Sequence, residues 1–298
     1  MKKPMIAAMP ADMDAAHRLA AETGYPLSEI TIHAFPDGES LVRAGRAADV
    51  VIIYCTLDHP NAKLIELGLA ASAYRDLRAR RLVLVAPYLC YMRQDKAFHE
   101  GEAVAQRFIG GLLAQWFDRV ITVEPHLHRI KSLDEVMPGI ETDALSSAGV
   151  LAQMIVADQD ADEAVLVGPD AESRAWTEAV ANETGSSFIV LEKTRHSDRK
   201  VELSMPQDAN IAGKRVCLVD DVVSTGETLA AAARLLKSKG AGPVQAVVTH
   251  ALFSCEDEKN MKQAGIEHVR STDCVAHATN AAHIAPLLAA ALRKEASL

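Results

Sequence analysis

Two adjacent aspartates, Asp220 and Asp221, close an apolar run in the segment VCLVDDVVSTGETL, residues 216–229. Carboxylates at the tip of a buried strand are costly unless a ligand, a metal or hydrogen-bond donors answer them. Donors follow at once: Ser224, Thr225, Gly226, Glu227 and Thr228 lead into an alanine-rich helical pattern. The free amides and dipole of a helix N-terminus favour an anion. Ligands of open α/β sheets gather beyond the carboxyl ends of strands. A phosphate therefore fits the hydroxyl-rich turn, and sugar hydroxyls fit the carboxylates, so a sugar phosphate satisfies both halves. The competing reading makes the two acids caps of the next helix and the Ser and Thr plain turn residues. A nucleotide P-loop is excluded, because GxxxxGK[ST] occurs nowhere in the chain.

The elements that must hold this segment form a repeating pattern. Continuous apolar runs at 50–55, 81–88, 119–125, 163–170, 187–193, 215–221 and 244–253 have the pattern of parallel strands covered on both faces. Helical patterns lie between them at 61–81, 101–117, 173–185 and 226–240. Strand then helix, repeated, predicts a mostly parallel α/β sheet. The runs LVLVAPYLCYMR and AVLVGPDAESRA share an apolar stretch, a small residue, Pro and a later Arg, which is what a duplicated α/β domain would leave; chance likeness of two buried strands is the other reading. The expected boundary lies in the turn-rich stretch 136–149, giving domains 1–145 and 146–298. The polar stretch 192–214 is longer than a compact connection needs and is expected to be an active-site loop.

At 298 residues, 49% of them hydrophobic and only 4% aromatic, the chain can build two cores packed by Ala, Val, Leu and Ile. The net charge of −9 argues against a nucleic-acid-binding face. Cys55, Cys90, Cys217, Cys255 and Cys274 form no CxxC pair, so reduced structural thiols and a cytoplasmic location are expected. The N-terminal apolar stretch is short and ends in acids, so neither a signal peptide nor a membrane span is expected.

The segment 216–229 resembles the PRPP (phosphoribosyl pyrophosphate) binding motif shared by type I phosphoribosyltransferases and ribose-phosphate pyrophosphokinases. Further stretches favour the second family. FPDGES (35–40) is similar to its FSDGE-type loop, which implies adenine recognition by Phe35, Asp37, Gly38 and Glu39 across a subunit boundary. PYLCYMRQDK (87–96) resembles the PY..YARQD segment, implying ATP contacts from Arg93 and Gln94 with Asp95 nearby. TVEPHLH (122–128) and VGPDAESR (167–174) resemble segments that carry metal-linked residues, here His126 and Asp170. EKTR (192–195) resembles the start of the flexible catalytic loop, placing Lys193 and Arg195 on the transferred phosphates. The likeness runs from about residue 15 to residue 290, in the family's order.

The resemblance implies two similar phosphoribosyltransferase-like domains, each with a mostly parallel sheet flanked by helices. The first would hold ATP and the second ribose 5-phosphate. The implied reaction moves the β,γ-diphosphate of ATP to the C1 hydroxyl of ribose 5-phosphate, giving PRPP and AMP. Asp220, Asp221 and the turn 224–228 would hold the sugar phosphate, and Arg195 would reach it too. Two anions must meet, so Mg2+ is the implied cofactor. Self-association as a dimer or higher is also implied, with no membrane and no nucleic acid as partner. The alternatives are a silent regulatory relative and a phosphoribosyltransferase with an added N-terminal domain. The turn reads STGET where the family often has DTGGT or DTAGT; Glu227 would be strained if its position takes φ > 0.

Overall fold

In the computed structural model, residues 3–157, 164–197, 200–207 and 209–297 are described. The chain divides into two compact units, Met1–Leu145 with Ile284–Leu298, and Ser146–His283.

The first unit contains β1 (Met5–Ala8), α1 (Met13–Thr23), β2 (Leu27–Glu29), β3 (Thr31–Ala34), β4 (Ser40–Arg43), β5 (Val50–Tyr54), α2 (Pro60–Asp76), β6 (Arg81–Val85), α3 (Ala105–Trp116), β7 (Arg119–Val123) and β8 (Glu141–Leu145). Its sheet has the order β2-β1-β5-β6-β7-β8, with every pair parallel. The runs VVIIY, RLVLV and RVITV are almost wholly buried, as central strands covered on both faces require. β3 and β4 stand apart as an antiparallel hairpin.

The second unit contains α4 (Ala148–Val156), β9 (Val165–Gly168), α5 (Arg174–Thr184), β10 (Phe188–Val190), β11 (Glu192–Ser197), β12 (Lys200–Ser204), β13 (Val216–Val223), α6 (Glu227–Ser238), β14 (Val244–Ala251), α7 (Cys255–Gln263), β15 (Ile266–Thr272) and β16 (Asn280–Ala282). Its sheet runs β10-β9-β13-β14-β15-β16, again all parallel. Both sheets thus follow one order, second-first-third-fourth-fifth-sixth. In both, an antiparallel hairpin is inserted between the second and third sheet strands. The duplicated α/β architecture is plain in this topology. The pairing of apolar runs proposed above was off, however: β1, not β6, occupies the place that β9 has in the second sheet.

Three further differences have physical causes. The stretch 192–214 is not all loop, because β11 and β12 pair with each other and satisfy their backbone groups. β13 runs through both aspartates to Val223, since β14 stays in register with it as far as Ala251. The last segment, expected in the second domain, belongs to the first unit. There α8 (Ala285–Leu292) packs on α1, and the Tyr25 hydroxyl donates to the Leu292 carbonyl at 3.3 Å. Beyond α8, the buried Glu295 accepts from Arg119 Nη1 and Arg81 Nε, both at 2.8 Å. A buried carboxylate needs such partners, and β6 and β7 carry them. Among the described residues, no helix is long and apolar enough to cross a membrane.

Candidate functional site

In the second unit the switch in strand order falls between β9 and β13, where a crevice opens in sheets of this kind. β13 pairs with β9 only over Val216–Leu218, yet with β14 as far as Val223. Asp220 to Val223 therefore pass the end of β9 with one flank unpaired by it. Asp220 Oδ1 accepts from the Asp221 amide at 3.1 Å, and Asp221 Oδ1 accepts from the Val222 amide at 2.6 Å. Asp221 is buried and Asp220 half-buried. Burial pushes the Asp220 carboxyl well above the usual carboxylate range, and the charges of Asp221 and Asp170 add to the push.

Asp170 follows β9 directly. Its Oδ1 accepts from the amides of Glu172 at 3.0 Å and Ser173 at 3.4 Å, and the Ser173 hydroxyl donates to its carbonyl at 2.6 Å. This reciprocal cap fixes the carboxylate while one oxygen holds the turn. Asp170, Asp220 and Asp221 are thus gathered at one crevice by two neighbouring strand ends.

The turn after β13 delivers Ser224, Thr225 and Gly226 to the start of α6. Gly226 is its N-cap, with φ 70° and ψ 4°, so the left-handed residue here is a glycine. Glu227 is the first helical residue; the strain feared for it falls on Gly226 instead. Its exposed carboxylate sits in the first turn, where the helix dipole favours it. Ser224 and Thr228 are half-buried and Thr225 is exposed. Glu192 opens β11, and Lys193 and Arg195 lie on that strand. The side chains of Lys193 and Arg195 are outside the described residues.

In the first unit, Phe35, Asp37, Gly38 and Glu39 form the tip of the β3–β4 hairpin. The Phe35 amide donates to the Glu39 carbonyl at 2.8 Å, the Gly38 amide to the Phe35 carbonyl at 3.0 Å, and Gly38 takes φ 93°. The Phe35 ring is exposed and meets the His33 ring edge-on at 4.9 Å. Arg93, Gln94 and Asp95 lie in the connection after β6. Arg93 and Gln94 are exposed, Gln94 Nε2 donates to the Ala103 carbonyl at 3.1 Å, and Asp95 pairs with Arg129. His126 follows β7 with φ 57°, an uncommon conformation for a non-glycine residue. Its Nε2 lies 2.7 Å from His128 Nε2.

The sequence reading passed over a second constellation in this unit. Asp12 follows β1 as Asp170 follows β9, each with a 3-10 turn and then a helix. Its Oδ2 accepts from the Thr56 amide at 3.1 Å, and Lys63 donates to the Thr56 carbonyl at 2.8 Å and to Asp58. Burial pushes the Asp12 carboxyl up to about 6, against the opposing pull of Lys63 and the Thr56 amide. MPAD (9–12) beside GPDA (168–171) was the available signal, short enough to escape notice.

Comparison with known proteins follows the same division. Residues 4–116 match the model of the N-terminal domain of ribose phosphate pyrophosphokinase, and residues 143–279 match that of the phosphoribosyl transferase domain. The chain is 31% identical over 278 residues to the ribose-phosphate pyrophosphokinase of Methanopyrus kandleri, covering 92% of this chain and 94% of that one. It is 32% identical over 282 residues to that of Halobacterium salinarum, covering 93% and 96%. The phosphoribosylpyrophosphate synthetase of Mycobacterium smegmatis superposes with a TM-score of 0.84 at 25% identity, over 99% of both chains. The chain belongs to the ribose-phosphate pyrophosphokinase family.

Proposed function

We propose that the protein transfers the β,γ-diphosphate of ATP to the C1 hydroxyl of ribose 5-phosphate, giving PRPP and AMP. The observation that carries this reading is the crevice of the second unit. Asp170, Asp220 and Asp221 converge beside a glycine-capped, hydroxyl-bearing turn at the switch point of a parallel sheet. In this reading the turn 224–228 grips the 5-phosphate through its amides and hydroxyls, and Asp220 and Asp221 accept from the ribose hydroxyls.

Carboxylate oxygens suit Mg2+, and a divalent cation would relieve the mutual repulsion of Asp170, Asp220 and Asp221, which adds to burial in raising Asp220. Asp170 in the second unit and His126 in the first are the residues we assign to binding metal; for His126 the contact would be through water, because imidazole is a poor ligand for so hard a cation. When bound, Mg2+ neutralises charge on the triphosphate. The remaining stabilisation of the transferred group falls to Lys193 and Arg195. A cation so placed contributes roughly 10³ to 10⁵ in rate in related phosphoryl transfers. The Phe35 tip, with Asp37, Gly38 and Glu39, and the segment Arg93, Gln94 and Asp95 are assigned to ATP. No general base is assigned; positioning and electrostatics carry the step.

We assign the enzyme to the cytoplasm on its five free cysteines, four of them buried. We also assign it self-association: Phe35, Leu41, Ile65, Leu69 and Phe108 of the first unit expose 40–69% of their surfaces. The test of the activity is AMP release from ATP in the presence of ribose 5-phosphate. Consumption of PRPP with a free base, and no AMP from ATP, would instead identify a transferase.

A further inference from the structure

The turn proposed to grip the phosphate leans on a residue far along the chain. A Cβ built on Gly226 would lie 2.5 Å from Met261 Sδ, 2.8 Å from its Cγ and 3.0 Å from its Cε. The thioether arm is therefore pressed along the Gly226 backbone. Met261 is fully buried. It sits on α7, whose start is fixed by a reciprocal cap. There the Ser254 amide donates to Asp257 Oδ2 at 2.8 Å, and the Asp257 amide to Ser254 Oγ at 3.2 Å. α6 and α7 come close again at the far end of α7. A Cβ on Gly265 would lie 3.1 Å from Lys237 Cγ. With a capped start and a close approach beyond its last turn, α7 has little freedom to retreat from α6.

We propose that Met261 is a positioning residue for the turn 224–228. It supports Gly226 from below and holds the left-handed N-cap, so that the amides opening α6 keep a fixed direction. Methionine is ordinarily an adaptable filler. Here three of its atoms fill the space where a side chain on Gly226 would stand, and the Gly226 backbone is the part said to meet the phosphate. Removing the arm would leave the turn with space beneath it. The cost then appears when a ligand has to order the turn again. This inference rests on the phosphate-gripping role assigned to the turn, but its physical core concerns the free protein.

The experiment uses the full chain, with Met261→Ala as the deletion and Met261→Leu as the conservative replacement. In the free protein, hydrogen exchange of the Ala230 amide, which donates to the Gly226 carbonyl at 2.8 Å, is expected to rise at least about fivefold in Met261→Ala, while the later turns of α6 keep their protection. KM for ribose 5-phosphate is expected to rise about tenfold, KM for ATP and kcat to change less than about twofold, and Met261→Leu to restore all three. Unchanged exchange at Ala230 overturns the proposal. So does a KM for ATP that rises with that for ribose 5-phosphate, since a merely loosened domain would move both. If wild-type protein releases no AMP, the assigned activity fails while the exchange measurement still decides the role of Met261. Should the alanine variant not fold, Met261→Val shortens the same arm and is read in the same way.

Discussion

Asp12 offers a sharp test of how the first unit handles charge. Its carboxyl is raised from 3.8 to about 6, first by burial, with Lys63 and the Thr56 amide pulling the other way and Asp58 adding to the rise. A group whose folded pKa lies above its unfolded one binds its proton more tightly in the folded state. Its contribution to stability is fully present below 3.8 and is lost as pH rises through about 6. A difference of about two units corresponds to about 3 kcal/mol between the extremes. Only part of that is accessible in practice. Between pH 7.5 and pH 5.0 the linkage relation gives a gain of about 1 kcal/mol from this group alone. Asp12→Asn keeps an oxygen for the Thr56 amide and removes the titration. Urea unfolding of both proteins at the two pH values cancels the contribution of every other group. Wild type should gain about 1 kcal/mol more than the variant on acidification. At pH 7.5 the variant should be the more stable of the two. Equal pH dependence in the two proteins would refute the argument, for it would mean that Asp12 titrates like an exposed carboxyl.

Three other perturbations have definite expected outcomes. Glu295→Ala leaves the buried Arg119 with Asp143 and the Ala291 carbonyl but without its second carboxylate. The loss should cost about 3 kcal/mol, seen as a lower melting temperature. Lys193→Ala should melt like wild type and lose at least about a hundredfold in kcat; near-normal turnover would remove that residue from the transfer step. Asp220→Asn should raise KM for ribose 5-phosphate by about tenfold, about the worth of one hydrogen bond to a charged group, with KM for ATP nearly unchanged.

Much of the second unit could be read from residues alone, because its chemistry is local. The aspartates, the hydroxyl turn and the helix start of 216–229 are contiguous, and contiguity fixes their mutual geometry within a few ångströms. The central strands were equally legible. Runs such as VVIIY and RLVLV fit no solvent-facing element. The short edge strands β2 and β16 were not, having three residues each and little apolar signal, whereas the equally short β10 lay within the run at 187–193. α8 was missed for another reason. Its sequence APLLAAAL reads as a helix, but the partner that claims it is an α1 near the other end of the chain, and no local pattern records a distance of that kind. Met261 belongs to the same class: a single methionine in a polar helix acquires its meaning only from the glycine it touches.

The two strand ends that follow β1 and β9 show how one scaffold can be put to two uses. Both are a strand, a proline-containing corner, a 3-10 turn carrying or capped by an aspartate, and a helix. In the second unit the neighbouring strand end adds two more carboxylates, and the Asp220 carboxyl is held well above the usual carboxylate range, first by burial and then by the charges of Asp221 and Asp170. Charge of one sign is concentrated there, which is unfavourable for the protein alone and favourable only with a cation or hydroxyl donors present. In the first unit the equivalent strand end offers instead the Thr56 amide and the ammonium of Lys63, itself tied to Asp58. The opposing charge is supplied from within the chain. The same topology therefore carries one crevice in which three carboxylates face one another and one in which a single carboxylate faces an amide and a nearby lysine. That asymmetry supports the proposal that the sugar phosphate sits in the second unit.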